Sequence, residues 1–146
     1  MIEIYKKYQC SVIAIEEIPF TEIEKYGVIS GDLIDGTNNT FRVTNMIEKP
    51  NSHDLMEFVK GRVDLNKVPS FMAIIGRYIL TPDIFKILRS IKADNGREIQ
   101  ITDALLTQAK QGKVIAYKFK GKRFDCGSVE GYVNATNYFA KQKKII

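Results

Sequence analysis

Apolar and polar positions alternate along this chain in short blocks that change period repeatedly. Ser11-Val12-Ile13-Ala14-Ile15-Glu16 is apolar, rich in β-branched residues and bounded by polar ones. It is too short for a core helix and predicts a strand buried on both faces. Met1 to Tyr8 ahead of it has the pattern of the last turns of a helix. Pro19 and the acidic Thr21-Glu22-Ile23-Glu24 predict a loop leading into Tyr26-Gly27-Val28-Ile29, a second short strand interrupted by glycine. Gly31 to Asn39 is dense in turn residues, and Phe41-Arg42-Val43-Thr44-Asn45-Met46-Ile47 is apolar at most alternate positions. Together these two segments predict a hairpin.

Beyond Pro50 the period lengthens. Ser52 is placed to cap a helix in which Leu55, Met56, Phe58 and Val59 share a face, with Gly61 as its stop. Phe71 to Leu80 is the strongest strand pattern in the chain. Thr81-Pro82-Asp83 predicts a helix start with Ile84, Phe85, Ile87, Leu88 and Ile91 as the apolar stripe. Thr102 is positioned to cap a helix running from Asp103 through Leu105, Leu106 and Ala109 to Gly112. Val114 to Phe119 returns to strand alternation, and Ser128 to Ala140 predicts a final helix. Strands separated by helices, with an antiparallel hairpin among them, imply an α/β fold with a mixed sheet. No linker, repeat or low-complexity segment divides residues 1–146, so one domain is expected.

Composition narrows the function classes. With 146 residues, 45% hydrophobic and 27% charged, the chain can bury a substantial core and is expected to be globular. No apolar run approaches the roughly 18 residues needed to cross a bilayer, and Met1-Ile2-Glu3-Ile4-Tyr5 lacks the pattern of a signal peptide, so a cytoplasmic location and no membrane partner are expected. Cys10 and Cys126 match no metal-ligand spacing, which argues against zinc or a disulfide framework. The net charge of +5 is concentrated in Lys141-Gln142-Lys143-Lys144 and in Lys118-Phe119-Lys120-Gly121-Lys122-Arg123. Such runs suit a solvated surface or an anionic small molecule. No RNA-recognition pattern with interleaved aromatics and no helix-turn-helix accompanies them, so nucleic acid is not an expected partner.

Three sets of residues could carry chemistry, and each has two readings. Glu48-Lys49, just before Pro50, is either a surface ion pair of little energetic weight or a ligand-binding strand end. In the second case the carboxylate would accept from sugar hydroxyls and the ammonium would meet a phosphate. Pro50 is expected to push Lys49 towards an extended conformation. Asp125, in Asp125-Cys126-Gly127, either begins a helix cap or offers a carboxylate oxygen to a magnesium ion, which would need a second carboxylate from elsewhere. Gly27 marks either a bulge or the close approach of another group. Arg97-Glu98-Ile99-Gln100-Ile101-Thr102-Asp103-Ala104 reads as structural support.

In order, "YGVI", "MIEKP", "AIIGRYIL", "REIQITDAL" and "KGKRFDCGSVEGY" resemble the second half of the bacterial UTP–glucose-1-phosphate uridylyltransferases. The match runs from about Ser11 almost to the C-terminus and covers about half the usual length of that family. The resemblance implies a Rossmann-like nucleotidyltransferase fold with a mixed sheet, of which this is an incomplete, C-terminal portion. It implies a reaction in which UTP and glucose 1-phosphate give UDP-glucose and pyrophosphate. By the same resemblance Gly27 lies against the sugar, Glu48 accepts from glucose hydroxyls, Lys49 contacts the sugar phosphate and Asp125 helps hold Mg2+.

The family's G-x-G-T-R loop, which wraps nucleotide phosphates, and its second magnesium aspartate have no counterpart in these residues. The expectation is therefore a sugar-phosphate-binding half, inactive by itself, that uses UTP only with a complementing N-terminal half. Asn51 to Pro69 is longer than the resemblance implies, and Phe71 stands where the family more often has asparagine. Two alternatives accompany this reading: half of a glucose-1-phosphate thymidylyltransferase, and a non-catalytic oligomerisation module. An incomplete sheet is also expected to self-associate through its exposed apolar edge.

Overall fold

The computed structural model describes residues 1–59, 70–91 and 98–144. Helix α1 (Ile2–Tyr8) leads into strand β1 (Ser11–Ile18), followed by a 3-10 helix over Phe20–Lys25 where a loop was expected. Its Glu22 amide donates to the Pro19 carbonyl, and Ile23 is turned into the core, which is what winds this acidic segment into a helical turn. Strands β2 (Val28–Leu33) and β3 (Thr40–Ile47) form the expected hairpin. Helix α2 (Ser52–Val59), strand β4 (Phe71–Ile79), helices α3 (Ile84–Ser90) and α4 (Ile101–Lys110), strand β5 (Val114–Lys118) and helix α5 (Val129–Gln142) complete the order. Gly61, the expected stop of α2, and Arg97 lie outside the described residues.

Helix starts differ in detail from the sequence expectation. The cap of α2 is Asn51, whose side-chain oxygen accepts from the Asp54 amide at 2.9 Å, one residue earlier than Ser52. Helix α4 begins at Ile101, so Thr102 sits inside the first turn and does not cap it. Ser128 caps α5 as its sequence suggests, accepting from the Gly131 amide.

The sheet is mixed: β5 runs parallel to β1, and every other pair is antiparallel. Strand order is β1-β4-β2-β3-β5, and β5 returns to β1, so the sheet closes into a barrel. The closure depends on a bend in the hairpin. Between Ser30 and Gly31 the β2–β3 register slips, and a Cβ at Gly31 would lie 2.5 Å from the Arg42 carbonyl oxygen, so only glycine lets the two backbones approach there. The bend carries Thr40, Phe41 and Arg42 across to Tyr117, Ala116 and Ile115 of β5, and the Arg42 guanidinium donates to the Gly112 carbonyl.

Strand β1 is enclosed on both faces, as its unbroken apolar run requires, with Val12, Ile13, Ala14 and Ile15 buried. One core cluster gathers Ile13, Ile15, Ile29, Val43, Met46 and Ile74 of the sheet with Ile84 of α3 and Leu105 of α4. A second packs Ile18, Val28, Phe71 and Ala73 against Ile23 and Leu55. Buried Gln108 ties the elements together: it accepts from the Ser11 hydroxyl at 2.8 Å and donates to the Thr81 hydroxyl at 2.9 Å. This small network satisfies polar groups that would otherwise be costly inside the core.

Candidate functional site

A cleft of about 900 Å³ opens on the barrel, and Gly27, Glu48 and Asp125 line it. Its volume falls in the range of small-molecule sites. Aromatic rings of Tyr26, Tyr78, Tyr117 and Phe124 share its walls with the cations Lys25, Arg77, Lys122 and Arg123.

Glu48 follows the last residue of β3, and its carboxylate is held from two directions. The Thr102 hydroxyl, in the first turn of α4, donates to Oε2 at 2.5 Å. Gly27, just before β2, leaves the space that this oxygen fills: a Cβ there would stand 2.9 Å from Oε2, 3.3 Å from Ile74 Cδ1 and 3.6 Å from Thr102 Oγ1. Gly27 is therefore a close-approach glycine, and the strand it was expected to interrupt starts one residue later. The hairpin's bulge lies at Gly31 instead. Burial, and then the negative charge of Glu48, raise the pKa of the half-buried Tyr78 hydroxyl above its ordinary value.

Lys49 departs from expectation. Its φ is 41°, in the left-handed region, where an extended residue was expected before Pro50. Its amide is held to the Tyr26 carbonyl at 3.2 Å while Pro50 is buried, and these tertiary constraints override the local preference. Holding a lysine there costs about 1–2 kcal/mol. Its side chain is exposed and is not among the described residues that line the cleft. Glu48 bonds Thr102 and not Lys49, so the surface ion-pair reading of these neighbours does not hold.

Across the cleft, Asp125 is exposed, and its Oδ1 accepts from the Gly127 amide at 3.0 Å, a turn that leads into Ser128 and α5. Asp125 thus precedes the cap without being it. Lys122 lies over the rings of Phe124 and Tyr138, at 5.2 and 4.6 Å from their centroids. Arg123 donates to Glu16 Oε2 at 2.7 Å and to the Tyr26 hydroxyl at 3.0 Å, fastening the segment before α5 to β1. Burial alone would lower its pKa, and the hydrogen bonds to Glu16 and Tyr26 outweigh that, holding its charge firmly. Asp125 offers the hard carboxylate oxygen that magnesium prefers. Among the described residues, no group of three or more His, Cys, Asp or Glu side chains gathers to hold a metal. One carboxylate is a partial donor set for such an ion.

Thr102 and Tyr78 are the site residues that sequence reasoning missed. The signal for Thr102 was its place in Ile99-Gln100-Ile101-Thr102-Asp103, where a polar residue at a helix start is ordinarily a cap. Cys10 and Cys126 form no disulfide with each other.

A family model described as nucleotidyl transferase matches residues 2–142. A UTP--glucose-1-phosphate uridylyltransferase of Pseudomonas aeruginosa is 51% identical over 138 residues, which is 94% of this chain and 44% of that protein. The Bacillus subtilis enzyme of the same description is 35% identical over 144 residues, covering 99% of this chain and 44% of its own length. Among solved structures, a UDP-glucose pyrophosphorylase without ligand superposes with a TM-score of 0.79 at 50% identity, over 98% of this chain and 47% of that one. A UDP-glucose pyrophosphorylase complexed with UDP-glucose gives a TM-score of 0.76, also at 50% identity, over 96% and 47%. The chain spans less than half the length of these relatives.

Proposed function

From a chain that belongs to the nucleotidyl transferase family, we propose the sugar-phosphate end of a site that joins UTP and glucose 1-phosphate into UDP-glucose and pyrophosphate. The observation that carries the reading is the close approach of Gly27 and Glu48, the latter held by Thr102, on the wall of a cleft that also presents Asp125 and several cations. In this reading the Glu48 carboxylate accepts from glucose hydroxyls beside Gly27. Lys49, next to Glu48 in the chain though not in the cleft lining, meets the sugar phosphate, and Asp125 would supply one of two carboxylates holding Mg2+.

The reaction brings two anions together: a phosphate oxygen of glucose 1-phosphate attacks the α-phosphorus of UTP, the new phosphorus–oxygen bond forms, and the bond to pyrophosphate breaks. Orientation and charge neutralisation are then the protein's main contributions. Residues 1–146 contain the orienting carboxylate and the cations, and in this reading a Gly-rich nucleotide loop and a second carboxylate outside these residues complete the site. We place this chemistry in the cytoplasm; the closed barrel leaves no open sheet edge among the described strands for the self-association expected of an incomplete sheet, and we expect self-association instead through the exposed Val129, Tyr132 and Val133 of α5.

Calorimetry with glucose 1-phosphate tests the proposal directly. Saturable binding to this chain is expected, weakened by removal of Glu48 and not reproduced by glucose 6-phosphate. Failure of the chain to bind glucose 1-phosphate refutes it. UDP-glucose synthesis by these residues alone, at the rate of a full-length relative, refutes the assignment of the nucleotide end to another segment.

A further inference from the structure

Thr102 differs from the other helical threonines in what its hydroxyl does. Thr107 and Thr136 donate to the carbonyls four residues behind them, at Asp103 and Tyr132, as a threonine inside a helix commonly does. Thr102 is the second residue of α4, so residue 98, four behind it, is not helical and offers no such acceptor. Its hydroxyl instead crosses to Glu48 Oε2, a partner 54 residues away in sequence. Thr102 is 4% exposed, and its β-branched side chain has little rotamer freedom once packed. The donor is therefore fixed in direction before any ligand arrives.

We propose that Thr102 is a positioning residue for Glu48: it binds Oε2, turns the carboxylate plane beside Gly27, and leaves Oε1 to accept from a ligand hydroxyl in the cleft. Among the described residues no hydrogen bond is made to Oε1, whereas Oε2 is enclosed by Thr102 and by the space over Gly27. The positive end of α4, a helix of 10 residues, adds a favourable field for the carboxylate at its first turn. A carboxylate held in one orientation loses less freedom on binding, so the gain appears as affinity for a hydroxyl correctly placed in the cleft. The inference rests on the glucose 1-phosphate reading for the identity of that hydroxyl, and on the structure alone for the hydrogen bond.

Two variants and two measurements separate these. Thr102→Val keeps the shape and removes the donor; Thr102→Ser restores the donor on a freer side chain. With both variants folded by thermal denaturation, Thr102→Val is expected to weaken glucose 1-phosphate binding about tenfold, in keeping with the worth of a hydrogen bond to a charged group. Thr102→Ser is expected to recover most of that loss. A purely structural threonine would instead shift the melting temperature of Thr102→Val and leave the affinity unchanged, which overturns the proposal. The second measurement needs no ligand: by proton NMR the Thr102 hydroxyl is expected to exchange slowly with water in the native chain and rapidly in Glu48→Ala. If the native chain fails to bind glucose 1-phosphate, the functional reading falls, while slow exchange that depends on Glu48 still upholds the positioning bond. Equally rapid exchange in both proteins overturns it.

Discussion

Gly27→Ala adds one methyl group at the point where three parts of the chain meet. The backbone tolerates alanine, because Gly27 has no left-handed φ, so the cost lies in the contact. The new Cβ would stand 2.9 Å from Glu48 Oε2, well inside ordinary carbon–oxygen contact, with Ile74 Cδ1 at 3.3 Å closing the other side. With Ile74 and the new methyl group filling the space over Gly27, Glu48 is expected to turn out of it and give up the bond from Thr102, which is 2.5 Å in the native chain. Loss of a hydrogen bond to a charged group costs about 1.5–3 kcal/mol, and the restricted unfolded chain of an alanine variant returns about 0.4–1 kcal/mol. A net destabilisation of about 0.5–2.5 kcal/mol remains, or a fall in melting temperature of about 2–8 °C for a chain of this size.

Urea denaturation with unchanged slope measures this cost, and the cycle with Thr102→Val identifies its source. Both changes break the same bond, so the double variant should cost clearly less than the sum of the two. In a Glu48→Ala background, Gly27→Ala should become neutral or stabilising by about 0.4–1 kcal/mol, since the carboxylate is gone and only the flexible end of Ile74, at 3.3 Å, has to give. An alanine variant as stable as the native chain, or a double variant whose cost is simply additive, refutes the three-way contact.

Two further outcomes follow from the same geometry. Gly31→Ala places a Cβ against the Arg42 carbonyl oxygen, carbonyl carbon and Val43 Cα, all backbone atoms that no rotamer change can move; a loss of about 3 kcal/mol in chemical denaturation is expected, and a near-neutral variant refutes the need for glycine at the bulge. Tyr78 should ionise above its ordinary value of 10.0 in a spectrophotometric titration referenced to Tyr78→Phe, and Glu48→Gln should remove the charge's share of the shift and leave the share due to burial. Because the unfolded chain loses this proton first, the stability that Tyr78 contributes should be fully present below pH 10 and lost as pH rises through the folded value; no change in the tyrosine's titration on Glu48→Gln would remove the carboxylate from its side.

The elements legible in the sequence were those whose signal is local. The unbroken apolar run of β1, the glycine- and asparagine-rich turn between β2 and β3, and Ser128 at the start of α5 each state a preference that the fold honours. The barrel closure was not legible, because it depends on a backbone approach at Gly31 and on pairing of Thr40 to Arg42 with a strand far along the chain. Thr102 was misread for a related reason. Cap propensity is a property of the first turn, whereas the acceptor its hydroxyl finds belongs to a hairpin more than fifty residues earlier.

The adjacent charges of Glu48 and Lys49 show how far local reasoning extends at a site. Side by side in sequence, they invite an ion pair, yet both lie beyond the end of β3 and the backbone turns left-handed at the second of them. The left-handed turn at Lys49 carries the chain towards buried Pro50, with the lysine side chain left exposed. Glu48 enters the cleft, where Thr102 has already taken one of its oxygens. In the proposed site, the lack of an ion pair between them leaves one carboxylate oxygen free for a hydroxyl and the ammonium free for a phosphate.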